Sequence, residues 1–339
     1  MKQKIINILL MSPALLFMAC SSDDVSTSDN IDGRNLTTNG VPIEIVPNVI
    51  EPVTRTDFEL GTSISDGEIV HVWVDDPNAA TTAEYLRYSS YHYKAQSYQA
   101  LGSETKSHVL TYDGANATPT FPQSGLINVY AYHWSDVQDE NLILARGASR
   151  SVTHRTQYSQ VQQTDYAKSD LLWGKVEGAI ASRGVTIPFR HKLSNIVVRF
   201  DNEENLNLLN TITKIKINGV YRTATMTYSR DTVILTNYTD KGSIEIAHDF
   251  GKGRLNEGII LPQTVTSGEF IELSTDDGRT FVYSLVDYEF KPGHQYTFYI
   301  KVNTKGFEIT CPQITDWGHS ASNDEDANAT MPDVPVNNN

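Results

Sequence analysis

The sequence is poor in cysteine, in positive charge, in long apolar runs and in helical periodicity. Its 27 Lys and Arg stand against 41 Asp and Glu, which gives a net charge of −14. This acidity argues against nucleic-acid partners, whose phosphates need cationic side chains, and against adsorption to anionic lipid. Beyond the first twenty residues no apolar run approaches the ~18 residues of a membrane-spanning helix. The scarcity of helical periodicity argues against an all-helical fold.

The sequence also lacks the patterns that carry catalysis and metal binding. Its nine histidines show neither His-Glu-x-x-His nor another close metal-ligand spacing, and there is no Gly-x-Ser-x-Gly elbow and no Walker loop. We therefore expect no catalytic residue, no metal and no cofactor, and we do not expect an enzyme. His191, which falls between two predicted strands, is interpreted as a structural or interdomain histidine.

The first twenty residues carry the strongest local signal. Lys2 and Lys4 precede an apolar run over residues 5–18, which is shorter than the ~20 residues that span a bilayer. A small residue then precedes Cys20, as cleavage by a signal peptidase requires. This end resembles the lipobox of bacterial lipoproteins. The resemblance implies that residues 1–19 are a signal peptide and that Cys20 is acylated and anchors the chain in outer-membrane lipid. An ordinary secretory signal with an incidental cysteine is the alternative.

The segment after the lipobox has the composition of a tether. Residues 20–40 are rich in Ser, Asp, Asn, Thr and Gly, which predicts a flexible tether, and residues 318–339 form a similarly polar tail. The acidic residues 23 and 24 resemble the export signal of surface lipoproteins in Bacteroides-type bacteria, which implies the cell surface. With Cys20 lipidated, Cys311 has no partner for an intramolecular disulfide, so the core alone must hold the fold.

Between tether and tail the sequence indicates strands. Runs rich in Val, Ile, Thr, Tyr and Phe are separated by Gly, Asn, Asp and Pro. They fall at residues 43–45, 69–74, 126–132, 185–189, 196–200, 212–217 and 296–302. Many short strands favour an all-β fold of β-sandwiches. Residues 218–219 (Asn-Gly) and 276–278 (Asp-Asp-Gly) are interpreted as hairpin turns. The mature length suggests two domains, placed at residues 41–190 and 191–317.

Several segments in one order resemble the fimbrillin family, the subunits of type V pili and their relatives. They are the lipobox with its acidic follower, then residues 53–58, 169–174, 185–194, 261–263, 292–298 and 314–317. The resemblance covers most of the mature chain and implies two transthyretin-like β-sandwich domains in tandem. It also implies a subunit of a cell-surface fimbria or pilus, whether stalk, tip or minor component, that supports cell adhesion.

The resemblance further implies assembly by protease-triggered strand exchange. In that scheme a trypsin-like, arginine-specific surface protease cuts the loop after the first strand, and Arg55 is the residue that matches; an ordinary surface arginine is the other interpretation. The first strand then leaves, and the side chains of Ile43, Ile45 and Val49 vacate an apolar slot. Arg34 precedes this strand, so a cut there would release no strand.

The C-terminal tail is the candidate donor of the incoming strand. Ala327, Ala329 and Met331 alternate along it, and Val334 and Val336 alternate in the other register. Prolines at positions 332 and 335 each remove a backbone donor, so a disordered tail is the alternative. Stalk, tip and anchor roles all stay open.

Two other functions compete with polymerisation. The first is a lipid-anchored surface protein that binds a glycan or adheres without polymerising. Trp73, Trp134 and Trp173 would then stack on sugars of a host receptor, although burial in a sandwich core is their commoner role. The second is a glycosidase, which would need a cleft with two facing carboxylates. The partners expected for a fimbrial subunit are other subunits, the processing protease, outer-membrane lipid and a host glycan or protein receptor.

Overall fold

The computed structural model describes the chain at residues 43, 45–49, 69–78, 91–99, 106–112, 120–122, 125–134, 149–180, 185–201, 210–229, 232–246, 256–303, 306–309 and 312–317. Most of these residues lie in strands, because the β-branched and aromatic runs of the sequence fit a pleated, half-buried surface. The predicted all-β class is confirmed. Among the described residues no helix has the length and apolarity that crossing a membrane requires.

The strands fall on either side of Lys192. The described residues also contain one helix, α1 (Gln163–Ser169), which lies among the earlier strands. The described strands before Lys192 are β1 (Ile45–Val49), β2 (Ile69–Asp75), β3 (Tyr91–Gln99), β4 (Lys106–Tyr112), β5 (Leu126–His133), β6 (Arg150–Arg155), β7 (Ser159–Gln160), β8 (Leu172–Ile180) and β9 (Val185–His191). Those after it are β10 (Ser194–Asp201), β11 (Ile212–Tyr228), β12 (Val233–Ile246), β13 (Asn256–Ile260), β14 (Gln263–Thr275), β15 (Thr280–Phe290), β16 (His294–Asn303), β17 (Gly306–Ile309) and β18 (Gln313–Asp316).

Seven of the earlier strands form one closed sheet. Their order is β1-β4-β3-β2-β5-β8-β9, and β9 pairs with β1 to close it. Every neighbouring pair is antiparallel except β9 with β1, which is parallel. The interior of this sheet holds a cluster of buried aliphatic side chains with Phe121 and Phe189, which we call the first core.

The later strands form two sheets. One has the order β13-β10-β16, with β17 and β18 both pairing with β16. The other has the order β15-β14-β11-β12-β7, and β6 also pairs with β11. The apolar faces of these two sheets share a second cluster of buried residues, in which Phe270, Phe290 and Phe298 pack together.

One predicted hairpin turn is wrong and another is confirmed. Asn218 and Gly219 lie inside β11, where the pairing with β12 shifts between Ile217 and Val220, so the pair forms a β-bulge and not a turn. Gly219 takes a positive φ of 69° there. The Asn218 amide donates to Glu272 across the sheet at 3.0 Å. The second prediction, at residues 276–278, is confirmed as the turn from β14 to β15.

Glu272 also accepts a hydrogen bond from the Lys216 ammonium at 3.0 Å. Burial raises the pKa of the Glu272 carboxyl, but the hydrogen bonds from Lys216 and Asn218 and the positive charges of Lys216 and Lys214 outweigh it. The pKa of Glu272 therefore lies below its ordinary value. The ionised carboxylate thus links the bulge to β14 through the Asn218 amide.

An aromatic cluster joins the closed sheet to the later strands, and we call it the aromatic junction. Tyr132 of β5 lies 4.6 Å from Trp73 of β2 and 5.2 Å from Tyr228 of β11, measured between ring centroids. The buried residues of this junction are Trp73, Tyr130, Tyr132, Trp134, Tyr166, Leu171, Leu193, Ala224, Met226, Tyr228, Ile259, Leu261 and Trp317. The division into domains at residues 190 and 191, and the tandem transthyretin-like sandwiches, stay predictions.

Candidate functional site

β1 closes the first sheet, and its two neighbours hold it unequally. On one side it runs parallel to β9 over its whole length, from Ile45 opposite Val185 to Val49 opposite Phe189. On the other side it pairs with β4 at a single position, Ile45 opposite Leu110. The described strand is therefore joined to one neighbour along five residues and to the other at one end.

Two prolines remove backbone donors beside the pairing of β1 with β9, on the sides that face β4 and β8. Pro47 lies opposite Ile187, and Pro188 lies opposite Asn48. A proline has no N–H, so each removes a backbone donor from this part of the sheet. Parallel pairing is also slightly less stable per residue than antiparallel pairing. The backbone therefore holds β1 less firmly than it would hold a proline-free antiparallel strand of the same length.

The side chains of this segment are anchored in the first core. Ile43 is 2% exposed and Ile45 is 0% exposed, and both pack in the cluster that includes Ile187 and Phe189 of β9. Full burial of an aliphatic side chain stabilises a fold by about 2–3 kcal/mol, so these two contribute about 4–6 kcal/mol. Apolar burial is therefore a major part of what keeps this segment in place.

Several residues singled out from the sequence lie outside the described part of the chain. They are Cys20, Arg55, Ala327, Ala329, Met331, Val334 and Val336, together with the tether and the tail. For Val49 the structure gives the backbone pairing with Phe189 alone. Lipidation of Cys20, cleavage at Arg55 and donation by the tail therefore stay predictions.

His191 has the structural role predicted for it. Its Nδ1 donates to Asp170 Oδ2 at 2.8 Å, and both side chains are almost fully buried. The ring stacks on Trp317, with centroids 3.7 Å apart and planes 8° from parallel. The other oxygen of Asp170 accepts from the N–H of Leu171 at 2.8 Å. Sequence reasoning missed Asp170, because nothing in a linear pattern pairs it with a histidine 21 residues later.

The tryptophans are poorly placed to stack on sugars. Trp73 is 2% exposed and Trp134 is 6% exposed, so both are confirmed as core residues. Trp173 is partly buried, and the Lys192 ammonium lies 4.6 Å from its ring centroid. Within the described residues, no group of three His, Cys, Asp or Glu is placed to hold a metal ion.

Solved structures from Bacteroides share this fold at low sequence identity. A candidate cell adhesion protein of Bacteroides ovatus superposes with a TM-score of 0.59 at 20% identity, over 82% of this chain and 98% of that one. A candidate cell adhesion protein of Bacteroides uniformis gives a TM-score of 0.56 at 19% identity, over 84% of this chain and 100% of that one. The sequence matches no curated protein.

A family model for fimbrillin-like proteins matches residues 53–317, which is most of the chain. That family is structural and not enzymatic, so the expectation that the protein is not an enzyme is confirmed. Membership supports a fimbrial or adhesion subunit that belongs to a cell-surface appendage. The chain belongs to the fimbrillin-like family.

Proposed function

We propose that this protein is a fimbrial subunit that is exported as a lipoprotein and polymerises by exchanging β1. In this proposal Cys20 carries the lipid that anchors the precursor in the outer membrane. An arginine-specific surface protease then cuts after Arg55 and frees the segment that contains Ile43 and Ile45. The tail of another subunit, within residues 327–336, takes its place, and the assembled fimbria supports adhesion.

The observation that carries the proposal is the unequal hold on β1. Ile43 and Ile45 fill a slot in the first core, while among the described residues β1 pairs in parallel with β9 at five positions and with β4 at one, beside a proline that has no donor. Loss of such a strand exposes apolar surface and the unpaired backbone of β9, which another extended segment can cover. A covalent cut near this strand would remove the local concentration that favours its return.

The prolines of the tail fit this site better than the sequence alone suggested. Pro332 and Pro335 each remove a donor from an incoming strand, which counts against pairing in an ordinary sheet. The present occupant, however, carries Pro47 at the middle of its own five residues. A slot that accommodates one proline-bearing strand is a reasonable host for another, with Met331 or Val334 as the apolar anchor.

Proteolysis of the mature chain tests the first step. We expect an arginine-specific protease to cut the folded protein near Arg55, and unheated samples to show SDS-resistant multimers afterwards. Arg55→Ala should stay uncut and monomeric, whereas the matched variant Arg34→Ala should behave as the parent chain does. Deletion of residues 318–339 should leave cutting intact and abolish multimers. Multimers in the deletion variant would rule out the tail as donor.

A disulfide lock tests whether β1 is the strand that leaves. Val46 and Thr186 are register partners in β1 and β9, and Thr186 is exposed, so Val46→Cys with Thr186→Cys should cross-link the strands without disturbing the core. The oxidised protein should be cut and stay monomeric until a reductant is added. A control lock, Ser151→Cys with Thr227→Cys, joins β6 to β11 at a pair whose native hydroxyl oxygens, Ser151 Oγ and Thr227 Oγ1, lie 2.8 Å apart. This lock should not prevent multimers. Multimers in the oxidised β1 lock would contradict the proposal.

A non-polymerising adhesive lipoprotein is the second candidate. The observation in its favour is that β1 has a partner on each side, so the closed sheet presents no open edge there. This candidate predicts that the protein remains monomeric after every cut and still binds a surface glycan or protein. The locked variant would then bind as well as the parent chain does.

A further inference from the structure

A cavity of about 510 Å³ lies where the closed sheet meets the later strands. The end of β9 and the connection after it contribute Arg190, His191 and Lys192 to its lining. The start of β12, the turns before β14 and β16, and Trp317 contribute the rest. The volume falls within the range of small-molecule sites, which often lie between structural units.

The charge of this cavity is opposite to that of the chain. Arg190 and Lys192 lie two residues apart on extended backbone and so project to the same side. None of the described residues that line the cavity is acidic, although the chain carries a net charge of −14. Within the described part of the structure neither cation forms an ion pair. The cavity therefore concentrates positive charge that nothing in the described chain neutralises.

The Lys192 ammonium is partly buried, which makes its charge costly without an anionic partner. Burial lowers the pKa of the Lys192 ammonium, and the nearby Arg190 guanidinium lowers it further. The Lys192 ammonium lies over the ring of Trp173, which offers weak attraction and no charge. An anion beside these two groups would relieve both the desolvation of Lys192 and its repulsion by Arg190.

The rest of the lining is largely apolar. Val233, Leu235 and Tyr238 of β12 contribute side chains, and so does Trp317. Ile234 also lines the cavity and is 51% exposed, so its side chain is accessible to a ligand. Apolar lining with a few convergent polar groups is the usual composition of a site for an organic ligand, because the apolar part supplies affinity and the polar groups fix orientation.

We propose that this cavity binds a small organic acid, with a bulky apolar body against β12 and one carboxylate or sulfonate held by Arg190 and Lys192. The bidentate guanidinium suits a planar carboxylate, and the ammonium adds a second charge-assisted hydrogen bond. The cavity shares β9 with the slot of β1, but none of its lining residues belongs to the first core, so substitutions in the cavity leave that core unchanged.

Two fluorescent probes of nearly the same shape test the proposal on the mature chain. Anilinonaphthalene sulfonate has an aromatic body and one sulfonate, and N-phenylnaphthylamine has the same rings without the charge. We expect saturable binding of the sulfonate, at least about tenfold tighter than the neutral probe, because hydrogen bonds to charged groups are worth at least one decade of affinity. Equal affinities for the two probes would overturn the proposal.

Substitutions then test which residues hold the charged group of the probe. Arg190→Gln and Lys192→Gln should each weaken the sulfonate about tenfold and leave the neutral probe unchanged. Arg190 is exposed, so its variant should fold even if that of Lys192 does not. Lys301→Gln, at an exposed lysine outside the cavity, should change neither probe.

A second matched pair of variants tests the contact with the apolar body of the probe. Ile234→Ser should weaken both probes, whereas Val286→Ser, at a side chain 55% exposed elsewhere on the surface, should weaken neither. Thermal melts of each variant would show that the fold is retained. If sulfonate affinity is insensitive to Arg190→Gln and to Ile234→Ser, the probe binds elsewhere and the cavity is not the site.

Discussion

Replacement of Ile45 by alanine is the most direct perturbation of the first core at β1. The substitution removes three side-chain carbons from a residue that is fully buried. Transfer free energy accounts for about 0.8 kcal/mol per carbon, or about 2.4 kcal/mol, and the cavity left behind adds to it. We expect the free energy of unfolding to fall by about 3–4 kcal/mol, within the range of buried aliphatic truncations.

Urea denaturation followed by tryptophan fluorescence measures this loss. Ile180→Ala is the matched control, because Ile180 lies in β8 of the same sheet and is 47% exposed, so its truncation should cost less than about 1 kcal/mol. The same change in side chain is thus compared at a buried and a half-exposed site. Equal losses at the two positions would refute the assignment of Ile45 to the core.

The variant also bears on strand exchange. A strand that has lost about 3 kcal/mol of anchoring should leave a cut chain on the order of 100-fold more readily. Multimers of Ile45→Ala should therefore appear faster after proteolysis than multimers of the parent chain. If truncation lowers stability but leaves the rate of multimer formation unchanged, departure of β1 does not limit assembly.

Further predictions concern the supporting structure. Gly174→Ala would place a Cβ against the side chain of Ile187 and 3.0 Å from the backbone oxygen of Pro188. We therefore expect the free energy of unfolding to fall by about 1–3 kcal/mol in thermal or urea melts. Asp170→Ala leaves the buried histidine without its partner and should cost about 3 kcal/mol in the same assays. Glu272→Gln should cost up to about 1 kcal/mol at neutral pH. Because the folded-state pKa of Glu272 is lowered, that difference should vanish as the pH falls through it; a constant difference in acid would contradict the pairing. Sulfonate binding should weaken as the pH rises through the lowered pKa of Lys192, and Lys192→Gln should remove this dependence in fluorescence titrations.

The sequence was a good guide to strands and a poor guide to their neighbours. The run at residues 69–74 became β2 and that at 296–302 became β16, because β-branched and aromatic side chains specify extended backbone locally. The parallel pairing of β1 with β9 joins residues about 140 positions apart in the sequence. No local pattern encodes such a pairing, which depends on which apolar faces fit together when the whole chain folds.

The misjudged turn at Asn218 shows the same limit. Asn-Gly favours a hairpin when the flanking strands can pair with each other. Here β11 continues past Gly219 because it goes on pairing with β12 and then also with β6, and the Glu272 carboxylate accepts from the asparagine amide. Tertiary pairing thus overrides a local turn preference. The cavity beside Arg190 could not be predicted from the sequence either, because its lining comes from five separate stretches of chain.

The path of the chain through the aromatic junction has a mechanical consequence. The chain leaves the closed sheet after β5, contributes β6 and β7 to the sheet of β11, returns with β8 and leaves again after β9. Three covalent crossings and a layer of stacked rings therefore resist bending about this point. A filament assembled from such units would bend mainly at the contacts from one subunit to the next.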